Sequence, residues 1–153
     1  MMDNLAFYAE VFGRLLGGVP ATLQLTFWSI LIGAFFAVLL ALMRMSGVKP
    51  LEWISKAYVF VFRGTPLLVQ MFLIYYGLAQ FPEIRGSFLW PYLREAWFCA
   101  ILALALNTAA YTAEILRGGL QSVPFGQIEA ARACGMSGWT LYQRIIFPIA
   151  IRQ

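Results

Sequence analysis

The sequence predicts an all-α membrane protein, and three observations carry that expectation. Hydrophobic residues make up 61% of the 153 residues and charged residues only 12%, about half the charged share of an ordinary soluble domain. Three stretches carry no charged side chain: Leu15–Met43, Gly64–Pro82 and Ala96–Ala113. The first would span about 40 Å as a helix, more than the ~30 Å hydrocarbon core of a bilayer. A soluble fold burying three such runs needs a core that a chain of this length cannot wrap.

The first transmembrane helix is expected over 22–43. It is preceded by Asp3, Glu10 and Arg14 rather than a basic leader, and the run is too long for a signal-peptide core, so it reads as a retained helix. Pro20 stands near its expected start, where a missing N–H costs nothing, and Thr22 is placed to satisfy free amides there. Gly33, Ala37 and Ala41 recur every four residues and form a small-residue ridge for close packing in lipid. The second helix is expected over 64–81, with Pro66 and Thr65 at its start in the same roles. The third is expected over 96–113, with a matching ridge of Ala105, Ala109 and Ala113.

The net charge of +4 follows membrane topology rather than nucleic-acid binding. Arg44, Lys49, Lys56 and Arg63 against Glu52 lie between the first two helices, whereas Glu83, Arg85, Arg94 and Glu95 balance between the second and third. The positive-inside bias then places the N-terminus outside and residues 114–153 in the cytoplasm. Phe81, Trp90, Tyr92 and Trp97 mark the outer interface, and Trp53 and Tyr58 the inner one. Cys99 and Cys134 fall about a membrane thickness apart in this topology, too far to pair within one subunit. There is no histidine, no metal-ligand spacing, no phosphate-binding loop and no nucleophile–base arrangement. The chain is expected to be no enzyme and to hold no cofactor or metal.

Gln24, Gln70, Asn107, Thr108 and Thr112 are polar inside the spans, and Glu114 stands at the inner end of the third. Such side chains face protein or a water-filled path. Asn107 and Glu114 are seven apart and share a helix face. Two readings stay open: a polar stripe along a translocation path, or Asn107 bonding a neighbouring helix while Glu114 pairs with Arg117. A secondary transporter is disfavoured, because no acid lies within the three expected spans.

Residues 122–150 are too polar for lipid and too regular for a loop. Pro124 opens a short helix to Ala133, along which Glu129 and Arg132 are spaced to pair. Gly135 suits a positive-φ closure, and Ser137 suits a cap for the next helix. There Trp139, Tyr142 and Ile146 recur at i, i+3 and i+7 as an apolar stripe. Spacing alone fits either a water-facing helical hairpin or an interfacial helix lying on headgroups.

Glu129-Ala130-Ala131, then Gly135, Ile145, Phe147 and Pro148, resemble the EAA signature of ABC-importer permeases, with Phe147 where leucine is usual. AYVFVFRGTPLLVQMFLIYYGLAQF (57–81) and LNTAAYTAEILRGGLQSVPFGQIEAARA (106–133) resemble blocks of the polar amino-acid permeases, most closely the M-type that import histidine, basic amino acids or opines. PATLQLTFWSILIGAFFAVLLALMRMS (20–46) extends the resemblance over nearly the whole chain. The resemblance implies a type I ABC-importer permease (MetI-like) fold, with residues 1–153 as part of one transmembrane domain. It holds three of the family's usual five helices, so the chain is expected to be a fragment or truncated form. Two ATPase subunits, a second homologous permease and a periplasmic substrate-binding protein are the implied partners, and the bacterial inner membrane is the implied location. Glu129, Ala130, Ala131, Gly135, Ile145 and Pro148 would couple the helices to the ATPase; Asn107 and Glu114 would belong to a substrate path. The competing class is a small helical membrane scaffold without transport.

Overall fold

The computed structural model describes residues 2–152; for residues 2–6 and Ala9 it gives backbone only. Met1 and Gln153, the ends of the expected domain, and the Asp3 side chain used in the charge count lie outside the described residues. All regular elements among the described residues are helical.

Helix α1 runs from Met2 to Met45, and its segment Glu10–Met45 is long and apolar enough to cross a membrane. The expected start near residue 22 is therefore corrected. Pro20 lies inside α1, and Thr22 donates to the Gly18 carbonyl at 3.1 Å instead of capping. One lost backbone hydrogen bond does not stop a helix whose flanks are both apolar, and the hydroxyl of a nearby threonine is a usual accompaniment.

Gly47, at φ +71°, makes the turn out of α1. Helix α2 (Lys49–Gly64) then runs back along α1. Its Ser55 is fully buried and donates to the Leu40 carbonyl at 2.9 Å, and Val59 packs with Ala37 and Leu40. Most of the charged stretch read as a connection is thus helix, and the true connection is Ser46-Gly47-Val48. The sequence reading missed α2 because charges at 49, 52, 56 and 63 interrupt its apolar run.

The second span is likewise not one continuous helix. Helix α3 (Leu67–Phe72) continues through a π-helical turn at Leu73–Gly77 and a 3₁₀ turn at Leu78–Gln80, and this unit is bent 105° from α2. Pro66 causes the break: it supplies no N–H and holds Thr65 extended at ψ 143°. Thr65 does not cap amides; its hydroxyl donates to the Val61 carbonyl at 2.8 Å. Short helices α4 (Pro82–Arg85) and α5 (Trp90–Leu93) lead to α6 (Ala96–Gln121), which continues two turns past the expected end and carries Glu114 and Arg117 within it.

The core is the α1–α6 seam. Ala37, Ala41, Ala105, Ala109 and Ala113 are all buried. A Cβ on Gly33 would stand 2.9 Å from Thr108 Cβ and 3.0 Å from the Ala105 carbonyl oxygen. The two small-residue ridges therefore face each other, as their spacing predicts.

Candidate functional site: a cationic cavity and a helical hairpin

Two regions carry the polar chemistry. The first lies where α1, α2 and α6 meet. Asn107 donates to Gln70 Oε1 at 3.2 Å, across from α6 to α3. Gln70 is buried, and its amide reaches the Phe62 carbonyl at 2.9 Å, the Thr65 carbonyl at 3.1 Å and Thr65 Oγ1 at 2.8 Å. The carbonyls freed by the break at Pro66 thus find donors from one side chain, as apolar surroundings demand.

Further along α6, Glu114 receives Arg44 Nη1 at 2.7 Å and Arg117 Nε at 2.9 Å. Arg44 and Glu114 are only 19% and 21% exposed, so this pair is far less screened than a surface one. Arg117 also reaches Gln121. Glu114 opens onto a cavity of about 510 Å³ lined with Arg44, Lys56, Phe60, Arg63 and Tyr111 among others. Asn107 is not at its wall; it bonds the bend above. The α6 face that sequence spacing singled out is therefore held by contacts of the structural kind at both positions, with Glu114 also facing open volume.

The second region follows α6. Helix α7 (Phe125–Ala133) begins after Pro124, and Gly135 turns the chain at φ +81°. Ser137 occupies the cap position of α8 (Gly138–Leu141) but makes no capping bond with its side chain. A π-helical turn at Tyr142–Ile146 and helix α9 (Phe147–Ile151) complete the unit. Val123, Ala131, Leu141 and Ile146 form its core, with Ile145 packed against them. The expected stripe is corrected: Trp139 is 74% exposed and Tyr142 is exposed, because the π turn rotates the face after Leu141 out of the 3.6-residue register. Trp139 and Tyr142 instead line an apolar groove against Ala41, Met45 and Leu116. Among the described residues neither Glu129 nor Arg132 joins an ion pair, so the expected pairing is absent.

Of the signature residues, Glu129, Ala130, Gly135 and Pro148 are exposed, Ile145 is half-buried and Ala131 is buried at 5% exposure. Ala131 therefore serves the hairpin's interior rather than its outer surface. Gly119 of α6 meets the hairpin's return: a Cβ there would stand 2.9 Å from the Ala150 carbonyl oxygen. Sequence reading missed Gly119, since a glycine on a helix carries no signal of what crosses it. Among the described residues no cluster of potential metal ligands occurs.

A helical membrane core ending in a braced hairpin of this kind defines a transporter membrane subunit. The chain belongs to the family of binding-protein-dependent transport system inner membrane components, whose model matches residues 11–153. It is 59% identical over 148 residues to the octopine transport system permease protein OccM of Rhizobium radiobacter, covering 97% of this chain and 60% of that one. It is 60% identical over 151 residues to the nopaline transport system permease protein NocM of Agrobacterium fabrum, covering 98% and 63%. The crystal structure of an amino acid ABC transporter with histidines matches at 40% identity and a TM-score of 0.82, covering 96% of this chain and 64% of that chain. The chain thus spans about 60% of the length of the curated relatives it matches.

Proposed function

We propose that the chain is the membrane-spanning core of a permease for opines or other polar amino acids, histidine and basic amino acids included, driven by ATP hydrolysis on a separate subunit. The observation that carries this reading is the hairpin of α7–α9. It has its own apolar core, it is braced on α6 at Gly119, and it presents Glu129 and Ala130 outward. The likeness to octopine and nopaline permeases supports opines as the substrate class.

In this reading residues 1–153 form part of a single transmembrane domain, with a periplasmic N-terminus and the hairpin in the cytoplasm. Two ATPase subunits, a second homologous permease and a periplasmic binding protein complete the importer. Glu129 and Ala130 touch the ATPase, Ala131 and Ile145 hold the hairpin together, and Gly135 and Pro148 fix its two bends. A hairpin with a packed interior transmits a push without yielding, whereas a solvated loop would absorb it. Asn107 and Glu114 serve the substrate path, Glu114 at the cavity wall and Asn107 by holding the bend next to it.

The test is co-purification. The permease is isolated in mild detergent together with its genomic neighbours, as wild type and as Glu129→Lys. An ATPase recovered with the wild type and lost on charge reversal supports the reading. Failure to recover an ATPase with the wild type under any mild detergent would favour a membrane scaffold instead.

A further inference from the structure

The cavity between α1, α2 and α6 has an uneven charge balance. Three cations, Arg44, Lys56 and Arg63, line it against one acid, Glu114. Two of the cations are already matched: Arg44 bonds Glu114, and Lys56 bonds Glu52 on its own helix. Among the described residues Arg63 joins no ion pair. Its guanidinium lies instead against the Tyr111 ring, 5.3 Å from the centroid.

Arg63 is also the deepest of the three cations. Helix α2 runs inward from the turn at Gly47, so Arg63 sits two turns, ~10 Å, beyond Lys56. It ends α2 directly before the break at Pro66. A cation at that depth is costly without a counter-charge, and such residues mark ligand paths. The aromatic face holds the guanidinium flat and leaves its N–H fork free for a planar, bidentate acceptor. The volume of about 510 Å³ admits a molecule of amino-acid or opine size.

We infer that Arg63, held against Tyr111, binds a carboxylate of the transported molecule in this cavity. The inference rests on the permease reading above and names the group that the site recognises. Amino acids and opines share a carboxylate, and opines carry a second. Glu114, with its oxygens taken by Arg44 and Arg117, leaves the free charge of the cavity positive.

The test uses the assembled importer in detergent without its binding protein. Tritiated arginine and octopine are bound at equilibrium and displaced by unlabelled arginine or by arginine methyl ester, which lacks the carboxylate charge. The wild type should prefer acid over ester by about tenfold or more, the size expected for one desolvated charge pair. Arg63→Gln should bring acid and ester within twofold of each other, and Arg63→Lys should keep part of the preference. Co-purified ATPase reports that each variant assembles, and Arg94→Gln on the opposite side serves as the charge-matched control. Should Arg63→Gln keep the full preference while binding substrate, the inference fails and the permease reading stands. If the wild type binds neither arginine nor octopine, both fail. If the wild type shows no acid preference but retains phosphatidylglycerol in an Arg63-dependent way, the anion is a lipid phosphate and the inference is overturned.

Discussion

The carbonyl oxygen of Ala150 closes on the backbone of Gly119, leaving 2.9 Å to where a side chain at 119 would begin. Gly118 next to it has open space on the same test. The hairpin therefore leans on α6 at a single point where only glycine fits. Gly119→Ala should force α9 away by a few tenths of an ångström or more, at about 1–3 kcal/mol. ATP-driven uptake by the assembled importer should drop several-fold, with Gly118→Ala near wild type. Equal rates for the two variants would mean that the contact transmits nothing.

The α1–α6 seam makes a second prediction. Gly33→Leu would drive a side chain into Thr108 and the Ala105 carbonyl. Without a water-exclusion drive between helices in lipid, lost contact there is not easily replaced. The detergent-solubilised protein should lose several degrees of thermal stability. Gly17→Leu, which meets nothing within 4 Å, should not.

The Arg44–Glu114 pair is testable by a double-mutant cycle. Both side chains are about four-fifths covered, and Glu114 keeps Arg117 when Arg44 is removed. That second partner limits the coupling to about 1 kcal/mol. Thermal denaturation of Arg44→Ala, Glu114→Ala and the double variant should show this non-additivity, shrinking as salt is raised. Additive losses would place the pair among contacts without net effect.

Gly135 closes α7 at φ +81°. A β-branched residue there is strained by about 1–3 kcal/mol, whereas asparagine tolerates the left-handed region better. Gly135→Val should reduce ATPase co-purification and uptake, and Gly135→Asn should recover most of both. Indifference to valine would show that the turn does not set the hairpin's geometry.

The cysteines report orientation. Cys134 is exposed on the hairpin, and Cys99 is buried, with its thiol donating to the Leu93 carbonyl at 3.0 Å. A membrane-impermeant maleimide should label Cys134 only after cells are permeabilised, and should label Cys99 slowly in either condition. Rapid labelling of Cys134 in intact cells would invert the proposed topology.

The sequence made some of these features legible and hid others, for physical reasons. The four-residue ridges at 33–41 and 105–113 were readable because helix-packing spacing survives without knowledge of the partner. Gly135 was readable because a glycine between two polar helical segments has few other uses. Helix α2 was not: charges at 49, 56 and 63 recur every seven residues on one face, and a hydropathy reading takes them for loop. The stripe of Trp139, Tyr142 and Ile146 failed because a π turn shifts register without any residue that announces it. Gly119 and Gln70 act on backbone atoms distant in sequence, and no local pattern encodes such contacts.

The corner at Gly64-Thr65-Pro66 looks like a joint, yet Gln70 rivets both of its arms together and Asn107 bolts that rivet to α6. A corner fastened in this way does not flex. Whatever tilting carries cargo across the membrane must move α2, α3 and α6 as one girder, and the slack for that stroke has to come from the Gly47 bend and the outer segment 81–95.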